Sequence, residues 1–180
     1  MNIGVFCGSG KGNNPAYAEA AETLGKLLAK NGHTLVYGGG NIGLMGILAD
    51  SVLKHQGSVI GVIPHFLLQR EVGHTALTQL EVVDSMHQRK KRMADLSQAF
   101  ITLPGGWGTL DETAEILTWK QLGLVHHPLG LLNTDHFYDS LLDQMHRMAV
   151  EGLLQSHWLD ALIVDTHPER LLQRITQSRL

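Results

Sequence analysis

The residues best able to do chemistry stand in one run, Pro104-Gly105-Gly106-Trp107-Gly108-Thr109-Leu110-Asp111-Glu112. The apolar stretch 99–103 leads into it, and a helical pattern leaves it. Glycine after a strand lets a ligand approach the main chain closely. The helix that follows offers unpaired N–H groups and a positive dipole end, which together favour phosphate. The run therefore reads as a strand-to-helix phosphate loop. Its last residue carries two readings. Thr109-x-x-Glu112 has the spacing of a capping box, in which the glutamate only bonds back to the helix start. Alternatively, a carboxylate beside a phosphate loop faces the sugar of a bound nucleotide, where it could steady a cationic sugar or activate water.

A second candidate is the basic run Met86-His87-Gln88-Arg89-Lys90-Lys91-Arg92. Such runs are usually solvated helix faces. Arg89 and Lys90 could instead clamp a phosphate, with Arg able to bond two oxygens at once. Two further glycine loops follow apolar runs: Gly8-Ser9-Gly10-Lys11-Gly12 and Gly38-Gly39-Gly40-Asn41-Ile42-Gly43. Gly38-x-Gly40-x-x-Gly43 has the spacing of a dinucleotide fingerprint. However, the strand after it ends in Pro64, where an acid should bind the ribose. Lys11 lies in a glycine loop, but Gly12 stands where a triphosphate-binding loop needs Ser or Thr. NAD and nucleoside triphosphates are thereby set aside, and a nucleoside 5′-monophosphate is the expected ligand.

These loops need a scaffold. Strand-length apolar runs occur at 3–7, 34–37, 59–63, 80–83, 99–103, 129–132 and 162–164. They are short and mostly uninterrupted by polar residues, as in strands buried on both faces of a parallel sheet. Helical patterns lie between them at 14–31, 44–55, 86–96, 109–122, 137–150 and 168–177. Ser85 is the expected N-cap of the third, with Gln88 three residues on. The alternation predicts an α/β fold: a doubly wound, Rossmann-like parallel sheet of about seven strands with helices on both faces. The whole chain, 1–180, reads as a single nucleotide-binding domain. Ligands of such sheets bind outside the carboxyl ends of the strands, where all three glycine loops and the start of the 86–96 helix fall. The stretch 64–79 is long for a plain connection, which hints at function.

Composition narrows the partners. The 180 residues carry a net charge of −3, which argues against a general nucleic-acid binder. The longest apolar runs fall well short of the ~20 residues of a spanning helix, so no membrane partner is expected. The single cysteine, Cys7, allows no internal disulfide and reads as a small buried hydrophobe. The start Met1–Phe6 reads as a strand rather than a leader, and a cytoplasmic location is expected. The 11 histidines show no metal-ligand spacing, so neither metal nor other cofactor is expected.

Taken together, Pro104-Gly105-Gly106-x-Gly108-Thr109-x-x-Glu112 and Met86-His87-x-Arg89-Lys90 resemble the Lonely Guy family of cytokinin riboside 5′-monophosphate phosphoribohydrolases. The similarity runs roughly from Ile3 to Leu142. It takes in Tyr37-Gly38-Gly39-Gly40, Gly43-Leu44-Met45-Gly46, Val59-Ile60-Gly61-Val62-Ile63-Pro64, Leu117-Thr118-Trp119 and Gln121-Leu122-Gly123. The resemblance implies hydrolysis of the N-glycosidic bond of an N6-modified AMP, releasing free base and ribose 5-phosphate. It implies Arg89 and Glu112 as the catalytic pair. For substrate binding it implies Glu71, Arg89, Lys90, Gly105, Gly106, Trp107, Gly108, Thr109, Asp111 and Thr118. It also suggests a homodimer. Many relatives carry Glu-Glu where this chain has Asp111-Glu112, and Asp reaches one methylene less far. Two other classes remain open: a non-catalytic carrier of a nucleotide or of molybdenum cofactor, and a DNA-processing protein, which the acidic charge disfavours. Members of the family often bear a lysine decarboxylase label, but no pyridoxal phosphate lysine motif is recognisable here.

Overall fold

The seven apolar runs become seven strands, each within two residues of its expected bounds. In chain order they are β1 (Asn2–Phe6), β2 (Thr34–Tyr37), β3 (Ser58–Pro64), β4 (Gln79–Val83), β5 (Ala99–Thr102), β6 (Leu129–Leu132) and β7 (Leu162–Asp165). The computed structural model describes residues 1–68 and 73–178. The strands form one sheet in the order β4-β3-β2-β1-β5-β6-β7, and every pairing is parallel. Burial explains the uninterrupted apolar runs: all residues of β5 and β6 are buried, whereas the edge strand β4 is half exposed. The chain order reverses at β1, which pairs with β2 on one side and β5 on the other. The crevice of a doubly wound sheet opens at that reversal.

Six helices fall where the apolar period places them: α1 (Pro15–Lys30), α2 (Gly43–Lys54), α4 (Met86–Leu96), α5 (Trp107–Gln121), α6 (Asp139–Val150) and α8 (Pro168–Gln177). Two short ones, α3 (His65–Leu68) and α7 (His157–Asp160), lie where no periodic stretch announces them. One core layer packs α1, α2 and α8 on the sheet through Leu24, Leu28, Leu48, Leu171 and Ile175. The other packs α4 and α5 through Met93, Ala94 and Ile116 against Phe6 and Phe100. Fully burying one such leucine stabilises the fold by about 1.5–3 kcal/mol.

Two helix starts differ from the sequence expectation. α6 begins at Asp139 rather than 137, because a 3₁₀ turn, Thr134–His136, precedes it. Asp135 and His136 take positive φ there, and the Asn133 side chain accepts the Tyr138 N–H at 2.7 Å. α5 begins at Trp107 with Gly106 as N-cap. Thr109 is thus the third helical residue and Glu112 the sixth, so the two cannot form a capping box at this helix start. Ser85, in contrast, does cap α4, accepting the Gln88 N–H at 3.2 Å. Gln88 reaches back to the Asp84 N–H at 2.9 Å. No helix among the described residues is long and apolar enough to cross a membrane.

Candidate active site

The glycine loops after β1, β2 and β5 meet at the reversal point. Gly8 N–H donates to the Pro104 carbonyl at 3.1 Å, and Leu44 N–H donates to the Gly8 carbonyl at 3.0 Å. Between them opens a cleft of about 150 Å³. Its walls are residues 7–9, Gly38 and Met45, Met86 and Arg89 of α4, and residues 106–109 with Glu112 of α5. A second hollow of about 320 Å³ adjoins it, sharing Gly8, Ser9 and Gly106 and edged by Lys11, Tyr17 and Phe137.

α5 is held firmly where it faces this cleft. Thr113 Oγ1 donates to the Thr109 carbonyl at 2.6 Å and lies 2.9 Å from Thr102 Oγ1 on β5. Tyr138 donates its hydroxyl to the Leu103 carbonyl at 2.7 Å. Yet no side chain caps its N-terminus, whereas Asn14 caps α1 and Ser85 caps α4. The first-turn amides of α5 are therefore left to solvent or ligand, at the end of the helix that favours an anion. Trp107 stands at the rim with 89% of its surface exposed.

Arg89 and Glu112 come together on the cleft wall. Arg89 Nη2 lies 3.9 Å from Glu112 Oε1, and both side chains are about nine-tenths buried. The same Nη2 donates to the Gly38 carbonyl at 3.2 Å. Arg89 Nε is buried and has no hydrogen-bond partner among the described residues. A buried donor left unmade is costly, so such a group in a cleft points to an acceptor that arrives with a ligand. Buried ion pairs are weak sources of stability, because desolvation offsets most of their attraction. The pair is thus a candidate for chemistry in the cleft. Cys7 borders the same cleft. Burial pushes its thiol well above the ordinary range, the Glu112 charge adds to this, and Arg89 opposes it.

The other expected site residues divide. Gly106, Trp107, Gly108 and Thr109 line the cleft, and Gly105 lies in the adjoining hollow. Lys90 is turned toward α5 instead, 3.0 Å from Asp111 and 3.2 Å from Glu115. Burial opposes its charge, but hydrogen bonds to those two carboxylates outweigh this and hold the ammonium above its ordinary range. Neither Lys90 nor Asp111 walls the cleft. The basic run thus splits, with Arg89 buried at the cleft, Lys90 buried against α5 and Lys91 65% exposed at its side chain. Thr118 lies outside the cleft, on an apolar groove between α5, α6 and α7, where its hydroxyl donates to the Ala114 carbonyl at 2.8 Å. Glu71 lies outside the described residues. Met45 is a wall residue that the sequence offered only within Gly43-Leu44-Met45-Gly46 and did not assign to the site.

A family model described as "Possible lysine decarboxylase" matches residues 45–175. A rice protein (Oryza sativa subsp. japonica) named "Probable cytokinin riboside 5′-monophosphate phosphoribohydrolase" is 42% identical over 175 residues, 97% of this chain and 78% of its own. The Arabidopsis thaliana cytokinin riboside 5′-monophosphate phosphoribohydrolase is 47% identical over 152 residues, 84% of this chain and 71% of its own. Among solved structures, the molybdenum cofactor binding protein of Rippkaea orientalis superposes with a TM-score of 0.73 at 25% identity, covering 97% of this chain and 94% of its own.

The decarboxylase description would imply pyridoxal phosphate, whose aldehyde carbon needs a lysine amine. The donor set does not fit. Among the described residues no lysine lines the cleft, the Lys90 ammonium is held by two carboxylates, and Lys11 is an exposed edge residue of the adjoining hollow.

Proposed function

The chain belongs to the Lonely Guy family of cytokinin riboside 5′-monophosphate phosphoribohydrolases, and we propose from that premise how its cleft performs the family reaction. The reaction is hydrolysis of the N-glycosidic bond of an N6-modified AMP, giving free base and ribose 5-phosphate. The observation that carries the residue assignment is the buried Arg89–Glu112 pair beside the uncapped start of α5.

The substrate phosphate sits at the first turn of α5, on the amides of residues 107–109, within reach of Arg89. Glu112 then faces the sugar. As the C1′–N bond breaks, positive charge develops on the ring, and a fixed carboxylate stabilises it. Glu112 also orients the water whose oxygen bonds to C1′; the water's proton leaves with the base. Arg89 places Glu112, its guanidinium lying 3.9 Å from the carboxylate. Lys90 and Asp111 act less directly in this reading: their ion pair ties α4 to α5 and so fixes the Arg89–Glu112 distance.

The reading extends to a cytoplasmic homodimer. The cytoplasm is supported by the one buried cysteine, which has no partner in its own chain. A second copy is supported by the apolar groove of about 350 Å³ formed by Leu117, Leu141, Met145, Leu154 and Trp158, onto which Thr118 opens. α6 has no fully buried residue, and Leu122, Leu124 and Leu153 nearby are each more than 60% exposed.

The test is an assay of AMP and isopentenyladenosine monophosphate for free base and ribose 5-phosphate. Equimolar release of both products is expected, with the prenylated substrate preferred. Tight binding without release at high enzyme concentration would favour a carrier instead. Sedimentation velocity checks the dimer.

A further inference from the structure

We propose that His74 and Asp50, neither of which reaches the cleft, are positioning residues that set the placement of Arg89. Three consecutive glycines, Gly38-Gly39-Gly40, carry the carbonyl on which Arg89 rests. Such a segment has no side chains to hold its peptide planes, so its carbonyl directions must be fixed from outside. The structure fixes them with residues 73–76, a single bridge residue followed by a turn. Gly73 pairs with Gly40 in an isolated antiparallel bridge. His74 N–H donates to the Gly39 carbonyl at 3.1 Å. The next carbonyl back, that of Gly38, accepts from Arg89 Nη2 at 3.2 Å, and that Nη2 lies 3.9 Å from Glu112.

The His74 ring is what anchors this segment. Only 5% of the residue is exposed, and both ring nitrogens are engaged. Ala76 N–H donates to Nδ1 at 3.2 Å, so Nδ1 carries the lone pair. Nε2 therefore holds the proton and donates it to Asp50 Oδ1 at 2.9 Å. Asp50 is on α2, the helix that grows out of the same glycine loop. The ring thus clamps residues 73–76 to α2, two turns beyond that loop, while the segment's backbone holds the loop itself at Gly39 and Gly40. Deleting the ring frees the Gly38 and Gly39 carbonyls to turn, and a displacement of about 1 Å at a reacting group costs on the order of a hundredfold in rate.

The inference rests on the reading of Arg89 as a site residue, and the test separates the two. Base release from isopentenyladenosine monophosphate is measured for His74→Ala, Asp50→Ala, His74→Gln, Asp50→Asn and Arg89→Ala, well below the melting temperature of each. His74→Ala is expected to lower kcat about tenfold or more, and Asp50→Ala several-fold, in proportion to the lost constraint. His74→Gln and Asp50→Asn keep the bond between the two side chains and should recover most of the rate. In an Arg89→Lys background, His74→Ala should add less than about twofold, since coupled residues are not additive. A lowered melting temperature with unchanged kcat in both alanine variants would overturn the proposal. The exposed Asp50 keeps the test open should His74→Ala not fold. Full activity in Arg89→Ala would instead sink the reading of Arg89, and the positioning role with it.

Discussion

The glycine loops after β2 and β5 look alike in sequence but are glycine-rich for opposite reasons. In the β2 loop the protein itself fills the space. A Cβ on Gly38 would lie 1.8 Å from Arg89 Nη2, and one on Gly43 would lie 2.2 Å from the Ser9 backbone. In the β5 loop, Gly105 is filled by Thr109, but Gly106 and Gly108 have nothing within 4 Å of where a side chain would start. Nothing in the folded chain requires glycine at those two positions, and neither has positive φ. The first loop is scaffold, shaped around the guanidinium that the site uses. The second keeps open a space that a ligand would take. A glycine motif alone does not distinguish these uses.

The sharpest challenge to this contrast lies at the end of the open loop. Glu112→Gln should reduce turnover by at least ~100-fold, because a fixed charge aimed at a developing cation is commonly worth ~3–4 kcal/mol. Its melting temperature should fall, because the buried Arg89 guanidinium loses its carboxylate, so turnover is compared well below it. A fully active Gln variant would show that the pair is structural after all. On the scaffold side, Gly38→Ala should displace Arg89, destabilising the fold by about 1–3 kcal/mol and lowering kcat together. Gly43→Ala meets backbone rather than a side chain and should cost more stability than Gly38→Ala, as denaturant midpoints would reveal.

Gly108→Ala separates the loops most cleanly. It sits in the first turn of α5, where alanine should raise stability by up to ~1 kcal/mol. It should also raise KM several-fold by crowding the phosphate. An unchanged KM would mean that the open space is not used. The smallest effect concerns Lys90. Its folded pKa is raised, so its contribution to stability is fully present below the ordinary value of 10.5 and is lost as the pH rises through the folded value. Asp111→Asn should shrink that loss, leaving a flatter melting temperature above about pH 10. An equal alkaline loss in both proteins would remove the ion pair as its cause.

Much of this molecule was legible in the chain. All seven strands and six of the helices follow from apolar runs and their period, because a sheet buried on both faces leaves few polar residues in its strands. The phosphate-loop character of residues 104–109 follows from glycine chemistry and helix ends. What misled was the spacing Thr109-x-x-Glu112. It imitates a cap, yet Gly105 and Gly106 let the chain enter the helix at Trp107. Within the basic run, period alone could not say which of Arg89, Lys90, Lys91 and Arg92 point inward.

The sequence by itself thus determined the sheet, its parallel order of burial, the placement of glycine loops at its carboxyl edge and the family. Only the tertiary structure decided that Arg89 and Glu112 meet at 3.9 Å, that Lys90 turns away to Asp111, and that His74 braces the β2 loop against α2. The reason is physical. Strands and helices answer to local periodicity, whereas a site is made of contacts between residues far apart in the chain. Those contacts form only when the parallel pairing of β1 with β2 and β5 brings their loops together.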